Sequence, residues 1–105
     1  MYWCKKIYYG ERALENQKEL LKSLKRKKWS VGVYVITLPE NDRNLLDIYE
    51  TIQFVQPAFR KKKLTVVGIA IGKDEAFNLV QEIVQDVHDR TGGFGIKEFF
   101  VEDKE

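Results

Sequence analysis

The sequence predicts a small α/β domain in which a mostly parallel sheet of three to four strands, built from βα units, carries three helices. Apolar runs typical of strands occur at 29–38 and 64–71, and helical patterns occur at 11–28 and 74–91. Strands that alternate with helices through short links normally form parallel, right-handed βαβ units. The length of 105 residues is that of a single domain, so we expect one core over 1–105.

The clearest unit is the strand and helix from Leu64 to Gly92. Leu64 to Ile71 contains no charge, which predicts a strand buried on both faces of the sheet. Asp74 is expected to cap the helix that follows, and Gly92 is expected to end it in the left-handed conformation. The apolar stripe of this helix is predicted to contain Ala76, Phe77, Val80, Ile83, Val84 and Val87.

The N-terminal part predicts an edge strand and a helix. Residues 1–10 are rich in tyrosine and tryptophan and include Lys5 and Lys6, a mixture that suits a strand at a sheet edge. A partner-binding aromatic patch is the alternative. Residues 11–28 read as a helix with an apolar stripe of Leu14, Leu21 and Leu24.

The middle of the chain is less regular. Residues 29–38 are apolar on both faces and predict an interior strand, which Pro39 ends. Residues 44–60 predict a bent helix, or two short pieces that meet near Pro57. Ile96 to Val101 reads as an edge strand, and the tail 102–105 is expected to fray.

Composition predicts a cytoplasmic globular protein. The chain is 44% hydrophobic and 32% charged, and it has neither a segment long enough to span a bilayer nor an N-terminal secretory pattern. Its single cysteine, Cys4, excludes an internal disulfide and agrees with a reducing compartment.

Charge is unevenly distributed along the chain. Residues 1–63 contain 14 Lys and Arg against 7 Asp and Glu, whereas residues 64–105 contain 4 against 9. Such polarity could favour self-association or an acidic partner, although a fold that interleaves the halves would reduce it.

Two basic runs each precede a predicted strand, and a parallel sheet would place both at one rim. We therefore weigh a nucleic-acid or other polyanion site at this rim. The alternative is that these bases solvate loops and complement helix dipoles. The candidate residues are Lys25, Arg26, Lys27, Lys28, Arg60, Lys61, Lys62 and Lys63.

The opposite rim, where parallel strands end, is the usual ligand site of open α/β sheets. Two loops, at 39–44 and 72–74, would meet there, and a helix N-terminus could receive a small anion. The segment has no Walker spacing, so a simple strand exit and helix cap is the alternative. The candidate residues are Asn41, Asn44, Gly72, Lys73 and Asp74.

Catalytic and metal-binding patterns are absent from the sequence. His88 is the only histidine, and a Cys4–His88 pair would lack an orienting carboxylate. The carboxylate pairs Asp47–Glu50 and Asp86–Asp89 are typical of solvated helix faces. We therefore expect no enzyme activity, no cofactor and no metal.

The segments VYVITL-PEN-DRNLLDI and VVGIAIGKDEAFNLVQEIVQDVHDRTGGF together resemble a group of small bacterial α/β proteins without an assigned function. The resemblance covers Val31 to Phe100 and implies no activity, cofactor or active site.

Three helices would cover one face of the predicted sheet only thinly. The sequence therefore favours an interaction or accessory protein that acts by binding as a homodimer.

Overall fold

The computed structural model describes residues 1–41, 43–93 and 95–101, and in these residues four strands form one sheet. The mixed α/β class is confirmed, while the tail 102–105 lies outside the described residues. The elements are β1 (Tyr2–Tyr9), α1 (Glu11–Glu15), α2 (Gln17–Lys25), β2 (Val33–Thr37), β3 (Asp47–Glu50), a 3₁₀ helix (Thr51–Val55), α3 (Pro57–Arg60), β4 (Thr65–Ile71), α4 (Lys73–Thr91) and α5 (Ile96–Val101).

The sheet is mostly antiparallel, which corrects the expectation of a mostly parallel sheet. The strand order is β1-β4-β2-β3. Only β1 and β4 pair in parallel, whereas β2 runs antiparallel to both β4 and β3. The N-terminal strand is confirmed, and it lies at the sheet edge as the sequence predicts.

The reversal of β2 follows from the path of residues 26–32. Helix α2 ends where β1 and β4 begin, but the Gly32 carbonyl accepts a hydrogen bond of 2.8 Å from the Gly72 amide at the far end of β4. This segment therefore carries the chain back along the sheet before β2 starts, and β2 must run the opposite way.

Helices cover both faces of the sheet because the central strands are apolar on both sides. The α4 face, covered by α4 and α5, includes Ile36, Val67 and Phe100. The α2 face, covered by α1, α2, the 3₁₀ helix and α3, includes Val35 and Phe54. This two-sided cover removes the thin face on which the homodimer hypothesis rested, and dimerisation stays a prediction.

Two predicted elements have the wrong type. Asp47–Glu50 is a strand instead of part of a helix, because Ile48 packs on the α4 face and Tyr49 on the α2 face, in strand alternation. Ile96–Val101 is a helix instead of an edge strand, because Ile96 and Phe100 are buried together one helical turn apart. Two short helical pieces do meet at Pro57, as one of the predicted alternatives had it.

Helix α4 agrees with the prediction except at its start and in part of its stripe. Gly92 ends it at φ 77° in the left-handed conformation, which confirms the predicted stop. Gly72, not Asp74, occupies the N-cap position, and Asp74 lies in the first turn. Its buried residues are Ala76, Leu79, Ile83 and Val87, while Phe77 is exposed.

The predicted helix over 11–28 is confirmed as two helices that meet at Asn16, where φ is −134°. The break changes the helical phase, so Leu24 is buried while Leu14 is exposed. No helix within the described residues combines the length and apolarity needed to cross a membrane.

The carboxylate of Glu75 joins three elements where β1 and β4 end. Its oxygens accept hydrogen bonds from the amides of Arg12 (2.6 Å), Ala13 (3.3 Å) and Ile71 (2.7 Å). The first two amides belong to the N-terminal turn of α1, so a side chain from α4 caps another helix. A Cβ at Gly10 would lie 2.4 Å from the Glu75 side chain, so any larger residue there would displace the carboxylate.

The first prediction concerns the stability conferred by this contact. Gly10→Ala should lower the free energy of unfolding by about 0.5 to 2 kcal/mol, because Glu75 must move and its hydrogen bonds to the amides that it caps are lost. Glu75→Ala should cost a similar amount. Chemical denaturation of the single and double variants measures both values and their coupling.

The control is Gly93→Ala, since nothing lies within 4 Å of a Cβ built at Gly93. It should leave stability nearly unchanged. The two changes should be strongly non-additive, with Gly10→Ala costing little once Glu75 is alanine. Additive costs would show that Gly10 and Glu75 act separately.

Candidate functional site

A cleft of about 160 Å³ opens at the end of the sheet where β1 and β4 begin. We call it the basic cleft, because four of its lining side chains are cationic and the rest are apolar. The cationic residues are Lys25, Lys27, Arg60 and Lys62; the others are Met1, Trp3, Leu24, Trp29, Phe54 and Phe59.

The first pair of cations is placed by the end of α2. The Lys28 amide donates to the Ser23 carbonyl at 3.0 Å and the Lys27 amide donates to the Leu24 carbonyl at 2.9 Å, which is the Schellman arrangement. Lys27 consequently has φ 61°, a left-handed conformation that usually selects glycine. Lys25 and Lys27 line the cleft, while the residues between and after them, Arg26 and Lys28, do not.

The second pair is placed by the short helix α3. Pro57 occupies its first turn, and the Gln56 carbonyl accepts hydrogen bonds from the amides of Phe59 and Arg60, both at 3.1 Å. This turn brings Arg60 and then Lys62 to the cleft. The Lys62 Nζ also lies 5.8 Å from the centroid of the Phe59 ring, within cation–π range.

The floor of the cleft is aromatic. The ring of Trp29 packs against that of Phe54, with centroids 5.2 Å apart, and Phe54 is fully buried. Trp3 and Trp29 are half-buried, and they are the two tryptophans of the chain. A large part of each indole therefore packs on the core while the residue still contributes to the cleft wall.

A carboxylate lies beside one of the cations. Lys62 Nζ is 2.9 Å and 3.2 Å from the two carboxylate oxygens of Glu40. The hydroxyl of Tyr49 donates to Glu40 Oε1 at 2.5 Å. The hydrogen bond from Tyr49, followed by that from Lys62, lowers the pKa of Glu40, whereas burial and then the Glu40 contact raise the pKa of Tyr49.

The two basic runs thus meet in space, although not for the predicted reason. The sequence placed them at one rim by assuming parallel strands, but β2 runs antiparallel to β4. They meet because α2 and α3 both end beside the start of the β1–β4 pair. Four of the eight candidate residues line the cleft; Arg26, Lys28, Lys61 and Lys63 do not.

The two loops proposed for a small anion do not meet. Thr37 pairs with Val66 near the start of β4, so the loop containing Asn41 and Asn44 lies at the basic-cleft end of the sheet. The segment 72–74 follows the far end of β4. The prediction of one site shared by both loops is therefore wrong; its residues were Asn41, Asn44, Gly72, Lys73 and Asp74.

Asn41 and Asn44 instead organise their own loop. Asn41 Oδ1 accepts a hydrogen bond of 2.9 Å from the Arg43 amide, and Asn44 Nδ2 donates to Asp47 Oδ1 at 3.0 Å. Both contacts are local and exposed, which is typical of a turn.

Gly72, Lys73 and Asp74 line an open depression of about 610 Å³ on the opposite end of the sheet. We call this the acidic depression. Its walls carry five carboxylates but only two cations, which disfavours an anionic ligand. Glu75 already occupies the α1 amides there, as described above. The carboxylates are Glu11, Glu15, Asp74, Glu75 and Glu82 and the cations are Arg12 and Lys73.

The remaining candidate groups are engaged in structure. Cys4 is fully buried in the α4 face, and Asp86 contacts the Tyr8 hydroxyl and Arg90. The Tyr8 hydrogen bond and then the Arg90 contact lower the pKa of Asp86. Over the ranges 1–41, 43–93 and 95–101, no three histidine, cysteine or acidic side chains gather into a metal-binding group.

Sequence reasoning missed four residues at the basic cleft: Trp3, Phe59, Glu40 and Tyr49. Trp3 and Phe59 belong to segments distant in sequence, and the Glu40–Lys62 contact spans 22 positions. One signal was available: each basic run is adjacent to an aromatic residue, Trp29 after Lys28 and Phe59 before Arg60.

Comparison of the chain with models of known protein families, with curated proteins and with solved structures finds no match. The resemblance to small bacterial α/β proteins therefore stays a prediction.

The second prediction tests the contact between Tyr49 and Glu40. Because the folded-state pKa of Glu40 is lowered, its contribution to stability is complete above the unfolded-state pKa of about 4.3 and is lost as the pH falls through the folded-state pKa. Tyr49→Phe should move the Glu40 pKa upward, so that less stability is lost on acidification. Carboxyl NMR titration and denaturation between about pH 5 and 2 measure these two effects.

Tyr34→Phe on the neighbouring strand is the control, and it should leave the Glu40 pKa unchanged. An unaltered Glu40 pKa in Tyr49→Phe would show that Lys62 alone holds the carboxylate.

Proposed function

We propose that this protein binds nucleic acid through the basic cleft. The observation that carries the proposal is the meeting of four cationic side chains from two distant segments around an aromatic floor. Phosphate groups are bound by such clusters because neutralising them releases condensed counterions. Aromatic side chains beside the cations provide surfaces on which bases stack.

The position of the cations supports a binding role over a general role in solubility. Within each basic run, alternate residues line the cleft and their neighbours do not. A helix dipole is complemented by charge within its last turn, but Lys27 and Lys62 lie beyond the helices that precede them. Lys62 is also paired with Glu40, so Lys27 is the cation of the cleft whose position these structural roles explain least.

Binding to another protein stays a prediction, and so does homodimerisation. So does the cytoplasmic location that the composition favours.

The third prediction compares cleft residues with their immediate neighbours. Lys27→Gln/Arg60→Gln should weaken the binding of a short DNA or RNA strand about 25-fold at 0.1 M salt, and should reduce the slope of log K against log[salt] by about 1.4. Fluorescence anisotropy of a labelled oligonucleotide over a salt series measures both.

The matched control is Lys28→Gln/Lys61→Gln, which removes the same charge from the same two segments outside the cleft. It should reduce affinity much less. Equal losses in the two double variants would mean that net charge, and not the cleft, governs binding. A wild-type protein that does not bind would overturn the proposal.

The fourth prediction separates stability from binding at Lys27. Lys27→Gly should raise the free energy of unfolding by about 0.5 to 1 kcal/mol, because glycine adopts the left-handed conformation without strain. The same change should weaken oligonucleotide binding about fivefold at 0.1 M salt through loss of one cation.

Lys27→Gln is the control for this prediction: it removes the charge but keeps the strained conformation, so it should weaken binding equally without stabilising the fold. If Lys27→Gly were more stable and bound equally well, Lys27 would have no part in binding.

A further inference from the structure

We infer that the basic cleft recognises a single-stranded segment by taking in one unpaired base. The inference rests on the proposed nucleic-acid function and narrows it to strands whose bases are accessible. It depends on three features of the cleft: its volume, its aromatic floor and the chemistry of its polar groups.

The volume limits what can enter. The cleft, at about 160 Å³, is smaller than the roughly 300 to 1,000 Å³ typical of sites for drug-sized ligands. It has room for one flat ring system and little beyond it. The phosphates and sugars of a strand must then remain at its rim, where the side chains of Lys25, Lys27 and Arg60 are exposed.

The aromatic residues explain why the group that enters should be a base. Trp3, Trp29 and Phe59 are each half-buried and each line the cleft. A ligand that carried only charge would cover these rings without forming stacking contacts. In a duplex the bases are already stacked on one another, so a duplex could reach the rim cations but not the floor.

The polar groups predict tolerance of base identity. The charged side chains among the described residues that line the cleft are lysine and arginine alone, and the carboxylate beside them, that of Glu40, is already bound by Lys62 and by the Tyr49 hydroxyl. Reading a base edge normally uses side chains with both donors and acceptors, such as Asn and Gln, or acidic acceptors. Stacking with cationic contacts to phosphate favours no sequence, and DNA and RNA strands should bind with comparable affinity.

The test uses the full chain and three single strands of equal phosphate count: an eight-nucleotide thymidine strand, the corresponding uridine strand and an abasic strand. The fourth ligand is a hairpin of eight base pairs closed by a base-free linker, and its affinity is compared per phosphate because it carries more charge. Because both tryptophans line the cleft, intrinsic fluorescence reports directly on entry of a base. The two base-containing strands should quench it and bind at least about tenfold more tightly than the abasic strand. The abasic strand and the hairpin should bind with little quenching.

Trp29→Leu is the accompanying variant. It should weaken binding of the thymidine strand about tenfold while leaving binding of the abasic strand unchanged, because only stacking is removed. Circular dichroism and chemical denaturation verify that the variant is folded. If Trp29→Leu does not fold, Trp3→Leu serves the same purpose at the other indole of the cleft.

The outcomes separate the inference from the proposal on which it rests. Equal affinity for abasic and base-containing strands, with Trp29→Leu having no effect, would overturn base entry and leave nucleic-acid binding intact. Tighter binding of the hairpin than of the single strands would also overturn it. Failure of every ligand to bind would overturn the proposed function itself.

Discussion

The central strand β4 is the constraint on which the rest of the structure depends. Its residues 65–70 are all buried, and it carries no charge, so both faces of the sheet must be covered by apolar helix faces. Helices α4 and α5 cover one side, and the helices of the first 60 residues cover the other. The basic cleft and the acidic depression lie at the two ends of this sheet.

The two ends differ in charge and in how their polar groups are satisfied. At the acidic depression Glu75 serves as an internal anion: it accepts hydrogen bonds from amides of α1 and β4 at the position that a bound anion would otherwise take. At the basic cleft the excess is cationic, and Glu40 is the carboxylate that pairs with Lys62. The charge asymmetry along the sequence is therefore partly retained as an asymmetry between the ends of the fold, instead of being removed by interleaving.

The elements that the sequence predicts well are those encoded by local patterns, and the errors concern relations between segments. β4 and α4 were predicted because an uncharged apolar run and a helical stripe are visible in the residues themselves. The direction of β2 was predicted wrongly, because it depends on the path of residues 26–32. These residues could lead directly into the strand or first return along the sheet, and the structure has the second path. The short segments 47–50 and 96–101 were assigned the wrong type, since their aromatic and β-branched residues suit either a strand or a helix until their burial is known. At the basic cleft, the two basic runs are visible in the sequence. Which of their residues line the cleft is not visible, because it depends on the turns at Lys27 and Pro57. Trp3 could not be assigned to the cleft because it belongs to β1, a segment distant in sequence.

The conformation of Lys27 bears on whether the basic runs merely solvate the ends of helices. Solvation and dipole complementation account for Lys25, which lies in the last turn of a nine-residue helix, and would be served as well by glycine at position 27, where Lys27 has φ 61°. They account less well for Arg60, because α3 has only four residues and its dipole is correspondingly small. The left-handed position of Lys27 and the small dipole of the helix that ends at Arg60 are therefore the two features that helix-end solvation explains least. The proposed nucleic-acid ligand would use these two charges together with the aromatic residues that line the same cleft.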